Sequence, residues 1–293
     1  MHTKTLSIIT VNKNNAAGLK KTIQSVVCQT NSDFEYIIID GASEDESVEI
    51  IKKYIGKINY WISEPDTGIY NAMNKGIRQA QGNYCLFLNS GDSLVSSETL
   101  DNVFKEINGK QADIFYSDRI NSDGNIAQYP GSLTIGDLLG RKINHQNSLI
   151  RRSLFFVHGF YNENFKICSD YEFFLHESYK YNSTFRHIKT KISIYEAGGL
   201  SAQNKDTHRA EDFVILKNVF QESANNIIEI FHLLEKKHSQ EIDIGIFEPE
   251  LSNMKKAIKK INPRSPVNIT KRILRTILPA KTWVKLKKAY YRT

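Results

Sequence analysis

The first ninety residues of this chain alternate between short apolar runs and stretches with helical periodicity, and this alternation constrains the fold more than any other feature. Four runs rich in β-branched residues predict strands, at 6–11, 34–39, 58–62 and 83–88. Three segments with apolar residues three and four apart predict helices, at 16–29, 43–54 and 68–80. Runs that are apolar almost throughout are typical of parallel strands buried on both faces. We therefore expect an α/β protein with a mostly parallel central sheet and helices on both faces.

Two serines are expected to cap helices. Ser43 precedes Glu46 at the spacing of a capping box, and Ser169 precedes a predicted helix at 170–181. Beyond residue 93 the pattern is less regular, and a turn signal at 121–124 predicts a hairpin between strands at 114–117 and 125–129. The remaining predicted elements are a mixed segment at 145–152, strands at 185–188 and 192–195, and a helical pattern at 210–237.

Polar residues follow each of the four early strands. They are Asn12, Asp40, the segment Glu64-Pro65-Asp66 and the segment Asn89-Ser90-Gly91-Asp92. Ligands of parallel α/β sheets bind beyond the carboxyl ends of the strands, so these residues mark the expected site. Asp40 and Gly41 could form only a turn, or Asp40 could accept hydrogen bonds from a base or ribose. Asp92 could hold a divalent cation, because carboxylates suit Mg²⁺ and Mn²⁺.

The stretch from Glu64 to Gly76 predicts a bend followed directly by a helix start. Free N–H groups and the positive end of the helix dipole make such a start suitable for phosphate. Ile69, Met73 and Ile77 are expected to face the core, which leaves a polar face with Asn74 and Lys75 to be explained.

At this point the ordered motifs make the chain similar to the family 2 glycosyltransferases, which use nucleotide-activated sugars. The resemblance covers roughly residues 5–205 and rests on Ser7–Asn12, Glu35–Asp45, Ser63–Gly76, Gly82–Asp92, His145-Gln146 and Ser169–Glu172. It implies the GT-A fold, a Rossmann-like sheet, in a catalytic domain at 1–205. The nucleotide-sugar half of that domain would be about 1–93 and the acceptor half about 94–205. A helical extension at 206–250 and a tail at 251–293 would follow.

The resemblance also implies roles for individual residues. The residues expected to bind the nucleotide sugar are Thr10, Asn12, Asp40, Asp66, Asn74, Ser90 and Gly91. Asp92 would coordinate Mn²⁺ or Mg²⁺, and Asp170 would be the general base. The residues expected at the acceptor or in a closing loop are His145, Gln146, Glu172, Ser201, His208 and Arg209. The chain departs from the family pattern twice: the segment 89–92 holds one carboxylate, and Asn71 stands where Asp is usual.

Elementary chemistry leaves alternatives open at some of these positions. Asp170 lies in a predicted first helical turn, where a carboxylate also stabilises the helix dipole. Glu172, two residues further, would point about 200° away from it on a regular helix. His145 could orient the acceptor or be a buried hydrogen-bonding residue. Cys168 is expected to pack, because nothing near it in the sequence lowers a thiol pKa.

The charge is divided unevenly along the chain. Residues 251–293 contain 13 Lys and Arg and no Asp or Glu, whereas the first 250 residues contain 26 basic and 32 acidic residues. Apolar and aromatic residues, Trp283 and Tyr290 among them, are interleaved with the basic ones. Basic amphipathic helices of this kind are typical of binding in the plane of an anionic membrane, which is the partner that we expect. The alternatives are a solvated tail and a nucleic-acid arm, and no nucleic-acid-binding signature supports the second.

Composition and targeting signals set the expected location. The chain is 40% hydrophobic and 24% charged, near globular averages. No run approaches the roughly 18 apolar residues of a membrane-spanning helix, and the run at 6–11 is too short for a signal-peptide core. The three cysteines are far apart, which predicts neither a disulfide framework nor a zinc cluster. We expect a cytoplasmic protein, peripheral at the inner face of a bacterial plasma membrane.

These observations and the resemblance predict an inverting glycosyltransferase. It would move a sugar from a nucleotide-sugar donor, expected to be a UDP-sugar, to a saccharide acceptor in surface polysaccharide biosynthesis. The basic tail makes a lipid-linked acceptor the expectation. The alternative is a non-catalytic nucleotide-sugar-binding component of a polysaccharide assembly complex. The sequence leaves the oligomeric state open.

Overall fold

The computed structural model describes residues 4–133, 135–140, 142–196, 204, 206–216 and 218–219. These residues belong to two compact units. The first unit, up to residue 133 and from 142 to 208, contains the strands and the cavity described below. In the second unit, residues 135–140 and 209–216 are helical.

Strands and helices alternate along the described chain. The strands are β1 (Leu6–Asn12), β2 (Phe34–Asp40), β3 (Tyr60–Ser63), β4 (Tyr84–Phe87), β5 (Ser93–Leu94), β6 (Ile114–Tyr116), β7 (Arg119–Asn121), β8 (Ile126–Ala127), β9 (Ser148–Arg151), β10 (Phe185–His187) and β11 (Ser193–Tyr195). The helices are α1 (Ala16–Val27), α2 (Ser47–Lys53), α3 (Ile69–Gln79), α4 (Thr99–Ile107), α5 (Ile135–Gly140), α6 (Arg152–His158) and α7 (Ser169–Tyr179).

The larger sheet has seven described strands in the order β10, β6, β9, β4, β1, β2, β3. The pairs along the order are parallel except for those that β9 makes with β4 and β6. The predicted mostly parallel sheet is therefore confirmed. A smaller sheet has the order β5, β11, β7, β8. This smaller sheet places the end of β11 beside the loop after β4, because β11 pairs with β5 and β5 directly follows that loop.

The centre of the larger sheet is buried on both faces, as the apolar runs predict. All seven residues of β1 are buried, and β1 pairs with β2 in a register that sets Asn12 opposite Asp40. The two polar residues thus end neighbouring parallel strands at one edge. The sequence places them there because each directly follows a run of apolar residues that the core holds in place.

Both predicted serine caps are wrong. Helix α2 begins at Ser47, four residues after Ser43, because the Ser43 amide and hydroxyl both donate to Asp40. Helix α7 begins at Ser169 itself, and no side chain caps it. The Ser169 hydroxyl is buried without a hydrogen-bond partner among the described residues.

The predicted hairpin has a different first strand. Residues 126–127 of β8 pair with β7, whereas the predicted partner at 114–117 is β6 of the larger sheet. The mixed segment at 145–152 contains a 3₁₀ turn, His145–Asn147, followed by β9. The helical pattern predicted from residue 210 is present through the described residues, and the rest of it lies outside them.

Within the described residues, none of the helices has the length and apolar character needed to cross a lipid bilayer. Ser201 and the tail at 251–293 lie outside the part of the chain that the structure describes.

Candidate functional site

A cavity of about 880 Å³ opens at the carboxyl edge of the larger sheet. Its walls come from the ends of β1 and β4, the start of α3, the turn before β9, the start of α7 and the residues at the end of β11. Volumes of this order hold ligands of nucleotide size. The cavity therefore lies where the sequence predicted a site.

A hydrogen-bond network supports the cavity behind Asn12, which lines it. The Asn12 amide donates to Asp40 Oδ1 at 2.7 Å and to Ser47 Oγ at 2.9 Å. Asp40 is fully buried, and its Oδ2 accepts from Ser63 Oγ at 2.7 Å. Asp40 lies outside the cavity wall and holds Asn12 in place from behind.

The bend before α3 brings Asp66 to the cavity. Asp66 Oδ1 accepts from the Gly68 amide at 3.0 Å, and Gly68 has a φ of +144° that favours glycine. Gly41 allows the approach, because a Cβ there would collide with Asp66 Oδ2. Lys75 fixes the same bend through an ion pair with Glu64 at 2.7 Å.

The loop after β4 carries Asp92, whose side chain is almost fully buried at the cavity wall. Asp92 Oδ1 accepts from the Glu196 amide at 2.9 Å, and Oδ2 accepts from the Asn89 amide at 3.2 Å. Burial raises the pKa of Asp92 to about 6, although these backbone hydrogen bonds oppose the rise. The ionised carboxylate is therefore a buried charge that favours a cation.

Asp170 lies at the start of α7 with its side chain 16% exposed to the cavity. Its Oδ2 lies 2.7 Å from His145 Nδ1, and its Oδ1 accepts from the Tyr171 amide at 2.9 Å. Oδ1 also lies 3.0 Å from Tyr70 Oη, whose single hydroxyl proton it shares with the Ile167 carbonyl at 2.6 Å. Burial alone would raise the pKa of Asp170, but His145, Tyr70 and Tyr171 outweigh it and the pKa is lowered. Asp170 is thus ionised at neutral pH.

Three buried amide oxygens at the cavity wall lack hydrogen-bond partners among the described residues. They belong to Asn12, Asn89 and Gln146. Buried polar atoms in folded proteins are ordinarily paired, so three unpaired ones in residues of a single cavity wall favour a ligand there. Because all three are acceptors, the matching ligand offers N–H or O–H donors, or a cation.

Several residues expected at the site line the cavity and others lie behind it. Asp66, Ser90, Asp92, His145, Gln146 and Asp170 line it together with Asn12. Thr10 is buried within β1 and bonds the hydroxyl of Tyr36 at 3.1 Å. Asn74 is buried and donates to the carbonyl of Tyr161 at 2.8 Å. Gly91, with a φ of +109°, shapes the loop that presents its neighbours.

Glu172 and His208, both in the first unit, are not among the residues of the cavity wall. Glu172 is on another side of α7, as its position in the sequence predicts; burial raises its pKa, and a hydrogen bond with Asn162 opposes the rise. His208 Nε2 lies 3.3 Å from Lys142 Nζ in the first unit. Arg209 belongs to the second unit.

Tyr70 and Glu196 are among the residues of the cavity wall that sequence reasoning did not single out. Tyr70 lies in the first turn of α3, directly after the bend, and this position could have identified it. Glu196 follows β11 just as Asp40 ends β2, but the short strand gives a weak signal. Its carboxylate lies 2.5 Å from Lys21 Nζ, which ties the end of β11 to α1.

The sequence model described as "Glycosyl transferase family 2" matches residues 7–173, more than half of the chain. The chain belongs to glycosyltransferase family 2. The chain is also 33% identical, over 201 residues, to a Mycobacterium bovis protein named PGL/p-HBAD biosynthesis glycosyltransferase; the match covers 67% of this chain and 78% of the relative. As a family 2 member, the protein is an enzyme of the glycosyl-transferring class.

Solved structures confirm the GT-A fold expected for a family 2 glycosyltransferase. Residues 1–349 of Staphylococcus aureus TarS in complex with UDP-GlcNAc align with a TM-score of 0.62 and 17% identity, covering 93% of this chain and 83% of that chain. The mannosyltransferase PcManGT of Pyrobaculum calidifontis, with GDP-Man and Mn²⁺, aligns with a TM-score of 0.56 and 11% identity, covering 100% and 82%.

Proposed function

We propose that this family 2 glycosyltransferase is an inverting enzyme that moves a sugar from UDP to a hydroxyl of a lipid-linked saccharide. The observation that carries the proposal is the position of Asp170. Its ionised carboxylate faces the same cavity as Asp66 and Asp92, and donors on three sides fix its orientation. A carboxylate held in this way is suited to accept a proton from an acceptor hydroxyl.

A nucleotide-sugar donor matches the cavity in size and in hydrogen bonding. Asn12 lines the cavity, and the start of α3 offers backbone N–H groups near Asp66 where a diphosphate can bind. The choice of UDP is supported by the TarS complex, in which the bound donor is UDP-GlcNAc. Sugar hydroxyl groups can satisfy further acceptors along the wall.

The residues at 89–92 fit a divalent cation. Asp92 is a buried carboxylate with a raised pKa, and the unpaired amide oxygens of Asn89 and Gln146 are hard oxygen ligands of the kind that Mg²⁺ and Mn²⁺ prefer. A cation held by Asp92 would supply charge neutralisation for the leaving diphosphate. The mannosyltransferase neighbour contains Mn²⁺.

The proposed reaction is a single displacement. The acceptor oxygen forms a bond to the anomeric carbon while the bond from that carbon to the diphosphate oxygen breaks, and the hydroxyl proton goes to Asp170. Attack from the face opposite the leaving group inverts the anomeric centre. Tyr70 and the Tyr171 amide donate to one oxygen of Asp170, which steadies the carboxylate while the proton transfers.

The lipid-linked acceptor and the membrane location rest on sequence. The 13 basic residues at 251–293 suit an anionic bilayer, where each basic residue near the surface contributes about 1 kcal/mol. An enzyme attached to the inner face of the plasma membrane in this way meets acceptors that are themselves anchored there.

The proposal is tested with Asp170→Asn. We expect the variant to lower kcat for acceptor-dependent UDP release by about 10²–10⁴-fold, the usual contribution of a positioned base. UDP affinity, measured by calorimetry with Mn²⁺, should stay within threefold. The control is Asp123→Asn, the same chemical change in an exposed turn, which should keep the wild-type kcat.

The nucleotide and the stereochemistry are tested separately. Thermal stabilisation by UDP-sugars should exceed that by GDP- and dTDP-sugars, because ligands of the native state raise apparent stability. Proton NMR of the first product should show the anomeric configuration opposite to that of the donor. A wild-type kcat in Asp170→Asn, or a retained configuration, would refute the proposed mechanism.

A further inference from the structure

We propose that His145 is a positioning residue that holds Asp170 in its working orientation and does not itself bind the acceptor. This inference rests on the proposed role of Asp170 as the base. It resolves the two alternatives that the sequence left open for His145 by assigning both of its ring nitrogens to protein partners.

The first nitrogen engages the base directly. His145 Nδ1 lies 2.7 Å from Asp170 Oδ2, a short distance that is typical of a hydrogen bond to a charged acceptor. The other carboxylate oxygen is held by Tyr70 and by the backbone. Among the described residues, His145 is therefore the side chain that fixes the Oδ2 side of Asp170.

The second nitrogen points to a protein amide. His145 Nε2 lies 3.2 Å from Asn89 Nδ2. Both contacts are satisfied when the ring proton lies on Nδ1, because Nδ1–H then donates to Asp170 and Nε2 accepts from Asn89. With both nitrogens engaged, the ring has no nitrogen left for an acceptor hydroxyl.

Packing keeps the ring in this orientation. His145 is buried, it begins the 3₁₀ turn before β9, and the edge of Phe87 packs against it with ring centroids 6.1 Å apart. The ring therefore acts as a rigid spacer between the base and the loop at 89–92. Within that loop, the backbone amide of Asn89 donates to the side chain of Asp92.

Two amide substitutions separate the functions of the two nitrogens. His145→Asn places an N–H donor near the position of Nδ1, and His145→Gln places one near the position of Nε2. We expect His145→Ala to lower kcat about 10- to 100-fold with the KM for acceptor within threefold, because a base displaced by about 1 Å loses that much rate. His145→Asn should recover at least fivefold of this loss, and His145→Gln should not.

A double variant isolates the action through Asp170. In the Asp170→Asn background, His145→Gln should lower the residual rate by less than threefold, because two residues that act as one unit are not additive. Circular dichroism and the melting temperature of each variant report folding, and the comparison of Asn with Gln remains informative if His145→Ala does not fold.

The outcomes are distinguishable. Equal recovery by Asn and Gln, a rise in the KM for acceptor at unchanged kcat, or full additivity with Asp170→Asn would overturn the positioning role of His145. A wild-type kcat in Asp170→Asn alone would instead overturn the proposed base, independently of any result at position 145.

Discussion

Asn71, which stands where family 2 glycosyltransferases usually have Asp, has a defined partner in this chain. Its Nδ2 donates to Glu163 Oε2 at 2.8 Å, and Asn74 Nδ2 donates to Glu163 Oε1 at the same distance. One carboxylate thus connects two residues of α3 to the segment before α7. An Asp at position 71 would set two carboxylates against each other, so Asn71 and Glu163 form a matched pair.

We predict that Asn71→Asp lowers the free energy of unfolding by about 0.5–1 kcal/mol at pH 7, the size expected for a repulsive pair near the surface. Adding Glu163→Gln should restore it, because a Gln amide can donate to the new carboxylate while its oxygen still accepts from Asn74. Urea denaturation of both variants measures the effect. An equal loss in the single and double variants would contradict the pairing.

The pH dependence of the free energy of unfolding should also reflect the hydrogen bonds that Asn71 and Asn74 donate to Glu163. The hydrogen bond from Asn74 lowers the pKa of Glu163, with partial burial opposing and Asn71 adding to the effect. A lowered folded pKa stabilises the protein above the unfolded value of about 4.5, and that stabilisation is lost as the pH falls through the folded value. Glu163→Gln should therefore cost stability at pH 7, and the cost should shrink progressively as the pH falls below about 4.5.

The position of functional residues was predictable where each follows a buried strand. Asn12, Asp66 and Asp92 fall at the carboxyl edge because apolar runs set the strands that precede them. Which of them face the cavity was not predictable, since that depends on partners distant in sequence. Asp40 and Thr10 face other side chains because Ser63 and Tyr36 lie within hydrogen-bond distance.

At the scale of elements, α3 packs closely against β1. A Cβ at Gly76 would lie 2.5 Å from Ile9 Cγ2, and Ile9 is fully buried in the centre of the larger sheet. A helix that carries part of the cavity wall thus rests directly on the central strand. Glycine at this position sets the depth of α3 against the sheet.

We predict that Gly76→Ala lowers the free energy of unfolding by about 1–2 kcal/mol. Overpacking in a core costs about 1–3 kcal/mol, and the better helix propensity of Ala, about 1 kcal/mol, offsets part of it. Thermal or urea denaturation measures the loss. The control is Gly56→Ala, where no atom lies within 4 Å of the new Cβ; a loss there as large as at Gly76 would mean that close packing is not the cause.

Helices and strands whose apolar residues recur at one clear spacing were predictable from the sequence. Strands that form only by pairing with strands far away in the chain were not. The four early strands and α1 and α3 follow the apolar pattern of the sequence to within a few residues. Strand β9 has four residues and pairs with β4 and β6, which lie far from it in the chain. The pairing of β7 with β8 was missed because the more apolar β6 is the stronger strand signal.

At the scale of the whole molecule, the formal charge of +7 combines an acidic body with a basic tail. The cavity wall carries the carboxylates of Asp66, Asp92 and Asp170, and a cation is the proposed means of receiving an anionic donor there. The 13 basic residues at 251–293 are available for a different partner. The proposed division is donor binding by the body and membrane binding by the tail.

We predict that replacing Lys281, Lys285, Lys287 and Lys288 with Gln weakens binding to vesicles of phosphatidylglycerol by about a thousandfold. The estimate follows from about 1 kcal/mol for each lysine near an anionic surface. Co-sedimentation at 0.1 M salt measures it, and 1 M salt should weaken the wild-type protein similarly.

The matched control replaces four exposed lysines of the body, Lys20, Lys52, Lys53 and Lys57, with Gln. It removes the same charge and should leave vesicle binding within threefold of wild type. Equal loss in both variants would show a non-specific effect of net charge, and retention on DNA with no binding to vesicles would favour the nucleic-acid alternative.

The antiparallel strand β9 has a consequence for the order in which the protein forms during synthesis. Strands β1 to β4 all lie within the first ninety residues and can pair as soon as that length of chain has emerged. Strand β6 has to wait, because both of its neighbours in the sheet, β9 and β10, follow it in the chain, and closing such distant contacts is slow. The turn that carries His145 directly precedes β9, so the nascent chain would complete the proposed donor half first and bring His145 and Asp170 together only after β9 has emerged.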